Sequence, residues 1–416
     1  MRILSVNTFF PYPAMRGMDV IYSNLLRAQA RKHDVTMVTL ARTGRERELA
    51  AGLRDLCRDI HVVTPPNSGS LSRRIAYRGA YAMAAAISGR PQPTFYDSPR
   101  ALRDLVERLT AESRFDIVEL HHSTCGRLVD HVRGGIKVLY MYDAHFRSWE
   151  RRAATKRGLA WLLDGREAGR YRRFEERLVR KFDGVLFGQD ADKVAVESMI
   201  GPETFTGLMP NIVDTERFAP TGAYVEPNTV VFVGAMSHGA NLDAVMHFAH
   251  AVWPRVRVRI PDARFLVVGA SPPSQLRALD GQNGIAVHAD VPDVRPYIER
   301  ASVYAVPLRI GSGVKVKIIE ALAMGKAIVA TSVAAEGMGL ADGAEIRIGA
   351  LDEAFADDVV SLLSSDERRC ALEAAARAAA MRLYSIEKGQ RDLDVIYDRL
   401  VARRDTPARA ASATSL

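Results

Sequence analysis

The sequence predicts an α/β chain built from two doubly wound domains in tandem. Three observations lead there. Short, uninterrupted apolar runs alternate with segments of helical period, the pattern of a parallel sheet covered on both faces. The cycle starts again after a stretch marked by Pro210, Pro220, Gly222 and Pro227 that has no clear period. The length, 416 residues, suits two domains of about 100–200 residues, each burying its own core.

In the first half, strands are expected at residues 3–7, 35–40, 60–64, 117–120, 138–142 and 185–187, with helices at 19–30 and 99–111 among the segments between them. In the second half, the runs at 229–233 and 265–268 each end in a glycine, Gly234 and Gly269, the residue that lets a backbone turn or be approached closely. Strands at 285–288, 303–306, 328–331 and 346–348 follow, with helices at 241–253, 294–301 and 314–324. Beyond Leu351 the pattern is helical to Arg404, and the tail DTPARAASATSL has the small, polar composition of a disordered end. In sheets of this kind, ligands sit beyond the carboxyl ends of the strands, so chemistry is sought just after strands, in a cleft that two such domains would share.

With 48% hydrophobic and 25% charged residues, the chain is an ordinary globular one. Cys57, Cys125 and Cys370 have no metal or disulfide spacing and suit a reducing, cytoplasmic compartment. No apolar run nears the ~20 residues of a membrane span, and proline interrupts MRILSVNTFFPYP too early for a signal peptide. The net charge of +8 is uneven: residues 1–208 hold 34 basic and 24 acidic side chains, a net of +10, and the remainder nets −2. Much of the excess lies between Arg147 and Lys181. Such a surface attracts phosphates, anionic lipid or nucleic acid, or is a solvated helix face. Aromatic residues are only 7% and no nucleic-acid-binding signature is present, so no nucleic-acid partner is expected.

The most informative stretch runs from Pro307 to Ser332, PLRIGSGVKVKIIEALAMGKAIVATS. A strand ends at Pro307, Arg309 and Gly311-Ser312-Gly313 form a loop, and an amphipathic helix follows from Val314. The glycines permit close backbone approach, and the helix N-terminus offers unpaired N–H groups and partial positive charge. With Arg309, Lys315 and Lys317 the stretch suits a diphosphate. Glu320, three residues beyond Lys317 on the same face, suits two vicinal ribose hydroxyls. A glycine turn before a helix is also common, and Lys317 with Glu320 would equally make an exposed pair.

This arrangement resembles the donor segment of retaining GT-B glycosyltransferases of the group 1, or family-four, type. Other segments agree in order along the chain: Pro210-Asn211 with Val213-Asp214-Thr215 and Phe218, Val231-Phe232-Val233-Gly234, Phe265 to Gly269, and Ala335-Glu336-Gly337. The resemblance implies two Rossmann-like domains facing a cleft: an acceptor domain at 1–209, a donor domain at 210–384, and a helix at 385–404 crossing back to the first domain, before the tail at 405–416. It implies a nucleotide-sugar co-substrate bound by Gly17, Gly234, Arg309, Gly311, Ser312, Gly313, Val314 and Glu320, with Lys315 and Lys317 stabilising the departing diphosphate. No resident cofactor or metal is implied. Departures from the family pattern are Ser312, where many members carry a glutamate, Met18 in place of a second glycine, and the loop AMSHGANLDAV after Gly234, which has no cation. Arg309, Lys315 and Lys317 are then expected to supply that charge, with His238 as a hydrogen-bond donor.

In the first half, FDIVELHHSTCG places His121 and His122 at a strand end. Alternation sends neighbouring side chains to opposite faces, so one of the two should reach the ligand; matching to the family's D-x-V-H-x-H segment picks His121, with Glu119 at the first histidine. Tyr142-Asp143-Ala144-His145 resembles the family's D-x-H segment on the acceptor side. Asp190 and Asp192 are read as structural or solvent-facing. The function implied is retaining transfer of a sugar from the nucleotide-sugar to a glycan, lipid-linked or small-molecule acceptor; separately, the basic Arg147–Lys181 region suggests docking on an anionic membrane surface. Alternatives are a nucleotide-sugar epimerase or phosphorylase on the same fold, and a non-catalytic nucleotide-sugar-binding subunit.

Overall fold

The computed structural model describes residues 1–12, 17–65, 71–91, 93–154, 156–201, 204–310 and 315–405. The chain forms two compact units, Met1–Asn211 together with the chain from Gly389 onward, and Ile212–Lys388. Each carries one parallel sheet with helices, the α/β architecture the apolar runs predict.

The first unit has strands β1 (Arg2–Val6), β2 (Asp34–Leu40), β3 (Asp59–Val63), β4 (Ile117–His121), β5 (Ile136–Met141), β6 (Gly184–Phe187) and β7 (Phe205–Leu208). Their order is β3-β2-β1-β4-β5-β6-β7, every pairing parallel. The order reverses between β1 and β4, which makes their carboxyl ends the switch point where such sheets bind ligands. Three of its helices bear on function: α1 (Gly17–Ala30), α2 (His145–Ala154) and α3 (Gly158–Val179). Edge strand β7, sequence FTGL, has no alternating or continuous apolar signal, and the sequence gives no warning of it.

The second unit has β8 (Glu226–Val233), β9 (Arg264–Gly269), β10 (Ile285–Ala289), β11 (Ala301–Val306), β12 (Ile328–Ala330) and β13 (Arg347–Ile348), in the order β10-β9-β8-β11-β12-β13. Here the switch point lies between β8 and β11. Successive residues alternate between two apolar layers. Val231, Val233, Leu266 and Val268 belong to one cluster; Val230, Phe232, Phe265 and Val267 belong to the other. This is why the strands read as unbroken apolar runs: both faces are buried, and each buried aliphatic side chain contributes about 1.5–3 kcal/mol.

Helices α4 (Gly239–His247) and α6 (Val316–Ala323) position the site of this unit, and α5 (Trp253–Arg259) follows α4 along the chain. The helix expected at 241–253 continues to Arg259. A π-turn, Phe248–Val252, absorbs the register change, with Trp253 N–H bonded to Phe248 O; Pro254 then falls in the first turn of α5, where its missing N–H costs nothing. The closing helix α7 (Ile386–Asp405) belongs to the first unit from Gly389 onward. Asp405, expected in the tail, is the last helical residue, and 406–416 lie outside the described residues.

Candidate functional site

The second unit's site forms where three chain segments meet at the β8–β11 switch point. The loop after β8 runs beside the loop after β9, and the approach is so close that a Cβ on Gly269 would lie 1.8 Å from Gly234 O. A Cβ on Gly234 would come within 2.8 Å of Asn241 Nδ2 and 2.9 Å of Lys317 Nζ. Backbone packing requires glycine at 269, and at 234 a Cβ would push aside the Asn241 and Lys317 side-chain ends. The cation-free loop after Gly234 thus receives its charge from a neighbour: Lys317, in the first turn of α6, reaches Asn241 Oδ1 of α4 and lies over the Phe232 ring, 4.4 Å from its centroid. The amide of Asn241 is held by donating to Ala235 O at 2.8 Å.

Lys317 and Glu320 are not the exposed pair the sequence left open; both are partly buried. Burial, helped by repulsion from Lys315 and opposed by Glu320, lowers the Lys317 ammonium to about 7. Burial raises the Glu320 carboxyl to about 7, against the pull of Arg217 and Lys317. Two ionisable groups whose charge is set near neutrality, at a switch point, mark a functional-site candidate. Lys315 is the N-cap residue of α6, and His238 is the exposed N-cap residue of α4.

Arg309 departs from the expectation that its charge is available to a diphosphate. Its guanidinium is bidentate to Asp243 of α4, at 2.6 and 3.0 Å, and lies 3.3 Å from His247 Nδ1. A planar fork matched to a carboxylate is the preferred partnership for arginine. Asn241 and Asp243, which sequence reasoning did not single out, therefore organise both cations from one helix. Gly311, Ser312, Gly313 and Val314 lie outside the described residues.

In the first unit the correction concerns His121. Strand alternation puts it on the same face as Glu119, beneath α1, with no exposed surface. Its Nε2 is 3.0 Å from Ser5 Oγ, its Nδ1 2.9 Å from Tyr142 OH, and its ring stacks on Tyr140. Glu119, equally buried, accepts from Gln29 at 2.8 and 2.9 Å and from Tyr140 and Tyr397. Burial disfavours its charge, but His121, Tyr397 and Gln29 outweigh that and lower its pKa. His121 is thus a member of a filled polar layer.

Of the two neighbours, His122 is the one that is only partly buried. Its φ of 93° is a strained value for a residue with a Cβ, the kind of strain that concentrates at functional sites. Burial and the neighbouring His145 lower its pKa to about 3, so it is a neutral imidazole. Nδ1 pairs with Thr124 at 2.9 Å, and Thr124 in turn donates to Asp97. His145 opens α2, with its ring edge against His122 and its face stacked on Tyr171. Burial opposes its charge, yet Glu175, 3.2 Å from Nδ1, raises its pKa overall. Glu175 also accepts the backbone N–H groups of His145 and Phe146, anchoring the start of α2. Its position in the buried stripe Asp164, Ala168, Tyr171, Glu175, Leu178 is the signal that marks it. Asp143 accepts from Gln189 at 3.4 Å. Asp192 is structural: fully buried, it accepts Ala144 N–H and pairs with Arg147 at 2.6 Å. Gly17 opens α1 with nothing within 4 Å of a Cβ placed there. Among the described residues no group of three or more His, Cys, Asp or Glu side chains is placed to hold a metal ion.

Two doubly wound units, each with polar side chains gathered at its switch point, define the GT-B class of two-domain transferases. Solved structures share this fold along nearly the whole chain. The Anabaena protein Alr3699/HepE, solved with UDP and glucose, has a TM-score of 0.66 at 12% identity, covering 96% of this chain and all 100% of that one. TarM has a TM-score of 0.67 at 10% identity, covering 95% and 98%. The family described as "Glycosyl transferases group 1" matches residues 227–365, and a "Glycosyl transferase 4-like domain" matches residues 16–193. The chain belongs to the group 1 glycosyltransferases. It is 30% identical over 190 residues to the phosphatidyl-myo-inositol mannosyltransferase of Mycobacterium tuberculosis, 42% of this chain and 49% of that protein. The match thus spans about half the length of this curated relative.

Proposed function

We propose that this glycosyltransferase moves a sugar, with retention of anomeric configuration, from a nucleotide-sugar to a lipid-linked acceptor at an anionic cytoplasmic membrane surface, in glycolipid or polysaccharide synthesis. The observation that carries the donor assignment is Lys317, whose ammonium lies against the Gly234 loop at the β8–β11 switch point. The mannosyltransferase relative, named for a phosphatidyl-myo-inositol acceptor, and the UDP-bound neighbour support the two ends of the reaction.

In this reading the second unit holds the donor. Lys317, with Lys315 at the start of α6, faces the diphosphate, and Glu320 takes the ribose hydroxyls. As the bond from anomeric carbon to diphosphate oxygen breaks, negative charge grows on phosphate. A cation and helix N–H groups already in place stabilise that charge without rearranging, which in many such sites is the main source of the rate enhancement. The acceptor oxygen bonds the anomeric carbon on the face the diphosphate leaves, and its proton passes to the departing phosphate oxygen. In the first unit, neutral His122 orients the sugar or acceptor, His145 and Asp143 serve the acceptor side, and His121 keeps the strand end rigid. No resident cofactor is assigned.

The test is thermal stabilisation of the full chain across UDP, GDP, ADP and their sugars, since a ligand that binds the native state raises Tm by mass action. One nucleotide series should stand out, and product analysis with that donor should show sugar transferred with retention. Release of an epimerised nucleotide-sugar, dependence on inorganic phosphate as co-substrate, or no turnover of any bound donor would overturn the transferase reading.

A further inference from the structure

The excess charge between Arg147 and Lys181 is trimmed by the fold. Arg147 pairs with Asp192, Arg152 and Lys156 with Asp164, Arg170 with Glu167, and Arg172 with Glu150. Arg157, Arg166 and Arg173 carry no ion pair among the described residues. These cations stand beside a feature the charge count does not show. The buried stripe of α3 begins only at Asp164, and every residue from 157 to 163, RGLAWLL, is exposed. Leu159 is 70%, Trp161 56%, Leu162 50% and Leu163 53% exposed.

The placement is amphipathic in a particular sense. Leu159, Leu162, Leu163 and Arg166 follow the i, i+3, i+4, i+7 spacing of one helix face. Farther along, Gly165 and Gly169 leave a shallow groove between Trp161 and the guanidinium groups of Arg166, Arg170 and Arg173. Trp161 stands on another side of the helix, so the leucines and the tryptophan together make an apolar tip with arginines behind it, suited to a membrane interface: apolar groups enter the acyl boundary while cations meet phosphate headgroups. Spanning is a different matter, since no described helix is long and apolar enough to cross a membrane.

We propose that the first turns of α3 are a membrane-docking wedge for anionic lipid, Leu159, Trp161, Leu162 and Leu163 inserting while Arg157, Arg166 and Arg173 bind headgroup phosphates. Charge complementarity decides the occupant: the free charges around the apolar tip are all positive, which repels a second copy of the same face and attracts a negative bilayer. The inference deepens the proposed use of a lipid-linked acceptor, but docking needs no donor and no turnover, so the two are tested separately.

The experiment is co-sedimentation of the full chain with phosphatidylcholine vesicles and with vesicles of phosphatidylcholine and phosphatidylglycerol. The chain should bind the anionic vesicles strongly and the zwitterionic ones weakly, and added salt should reduce binding. Trp161→Glu combined with Leu162→Glu should lower partition at least about tenfold. Arg166→Ala should lower it about fivefold. Val258→Glu, at an 83% exposed position of the second unit, should leave it unchanged. Circular dichroism and nucleotide-induced thermal shift should be unaffected in all three, so loss of vesicle binding with intact donor binding isolates the wedge. Absence of binding to anionic vesicles, undiminished binding by the double variant, or a concentration-dependent dimer in sedimentation velocity that the double variant abolishes would overturn the proposal.

Discussion

The two switch points differ in where their polar groups grow. In the first unit they stand on the strands themselves: Ser5 on β1, Glu119 and His121 on β4, all fully buried and bonded to one another or to α1 and α7. In the second unit the buried polar side chains Thr229 of β8 and Ser302 of β11 stand toward the amino ends of their buried stretches, residues 230–233 and 303–306 are apolar but for the Tyr304 hydroxyl, and the polar groups at the carboxyl end come from loop and helix side chains, Asn241, Lys317 and Arg309. One sheet fills its carboxyl end with buried hydrogen bonds between strand side chains, and the other leaves its own to side chains of loops and helices. Substitutions at the first should therefore read out mainly as stability, and at the second mainly as affinity.

Replacing Glu119 by alanine is the largest expected effect and the sharpest way to break that contrast. It takes away the shared acceptor of the Gln29 amide and the Tyr140 and Tyr397 hydroxyls, and these buried donors keep only the bonds they make to one another. An unmet buried donor costs about 1–3 kcal/mol, so the variant should lose at least about 3 kcal/mol in urea unfolding. A loss below about 1 kcal/mol would show that the layer relaxes freely and that His121 is not fixed by it. Glu119→Gln should recover part of the loss, because an amide oxygen still accepts.

Next in size is Lys317→Met. Removing a partly buried cation from over an aromatic ring should leave unfolding stability unchanged or raised, since burying charge is costly. Nucleotide diphosphate affinity in calorimetry should nevertheless fall roughly 10- to 100-fold, the worth of a charge-assisted bond to phosphate. Equal affinity in the variant would move the diphosphate away from the Gly234 loop and end the comparison in favour of a site elsewhere.

The contrast also explains what the sequence made legible. Both sheets were readable because parallel strands buried on two faces are runs of Val, Ile, Leu and Phe, and the glycines at 234 and 269 mark strand ends where backbones nearly touch. The placement of Lys317 and Glu320 on one helix after β11 was readable because a strand-loop-helix motif is local in sequence. Glu175 was not, and Asp192 was left between a structural and a solvent-facing role, since an acid on a helix looks solvated until tertiary structure supplies its donors. Asn241 and Asp243 were invisible for the same reason: their role is to hold cations that arrive from 66 or 76 residues away in sequence. His121 and His122 are adjacent, and only the packing of α1 over one face decides which is enclosed.

The smallest effect is the one that tests the site's charge state. Burial and Lys315 bring the Lys317 ammonium down to about 7, with Glu320 pulling the other way. A diphosphate binds the protonated form, so affinity is full below pH 7 and falls as the proton leaves. Between pH 7 and pH 8 the protonated share of a group with that pKa drops from about a half to about a tenth, a loss of roughly fivefold. Glu320 titrates in the same range; its ionisation raises the lysine pKa and shifts the fall toward higher pH without changing its direction. Lys317→Arg keeps the charge through this range, because a guanidinium does not titrate there. Calorimetry at several pH values should give a falling affinity for the native chain and a flat one for the arginine variant. Parallel slopes in the two proteins would assign the titration to another group and leave Lys317 charged throughout, as an exposed lysine would be.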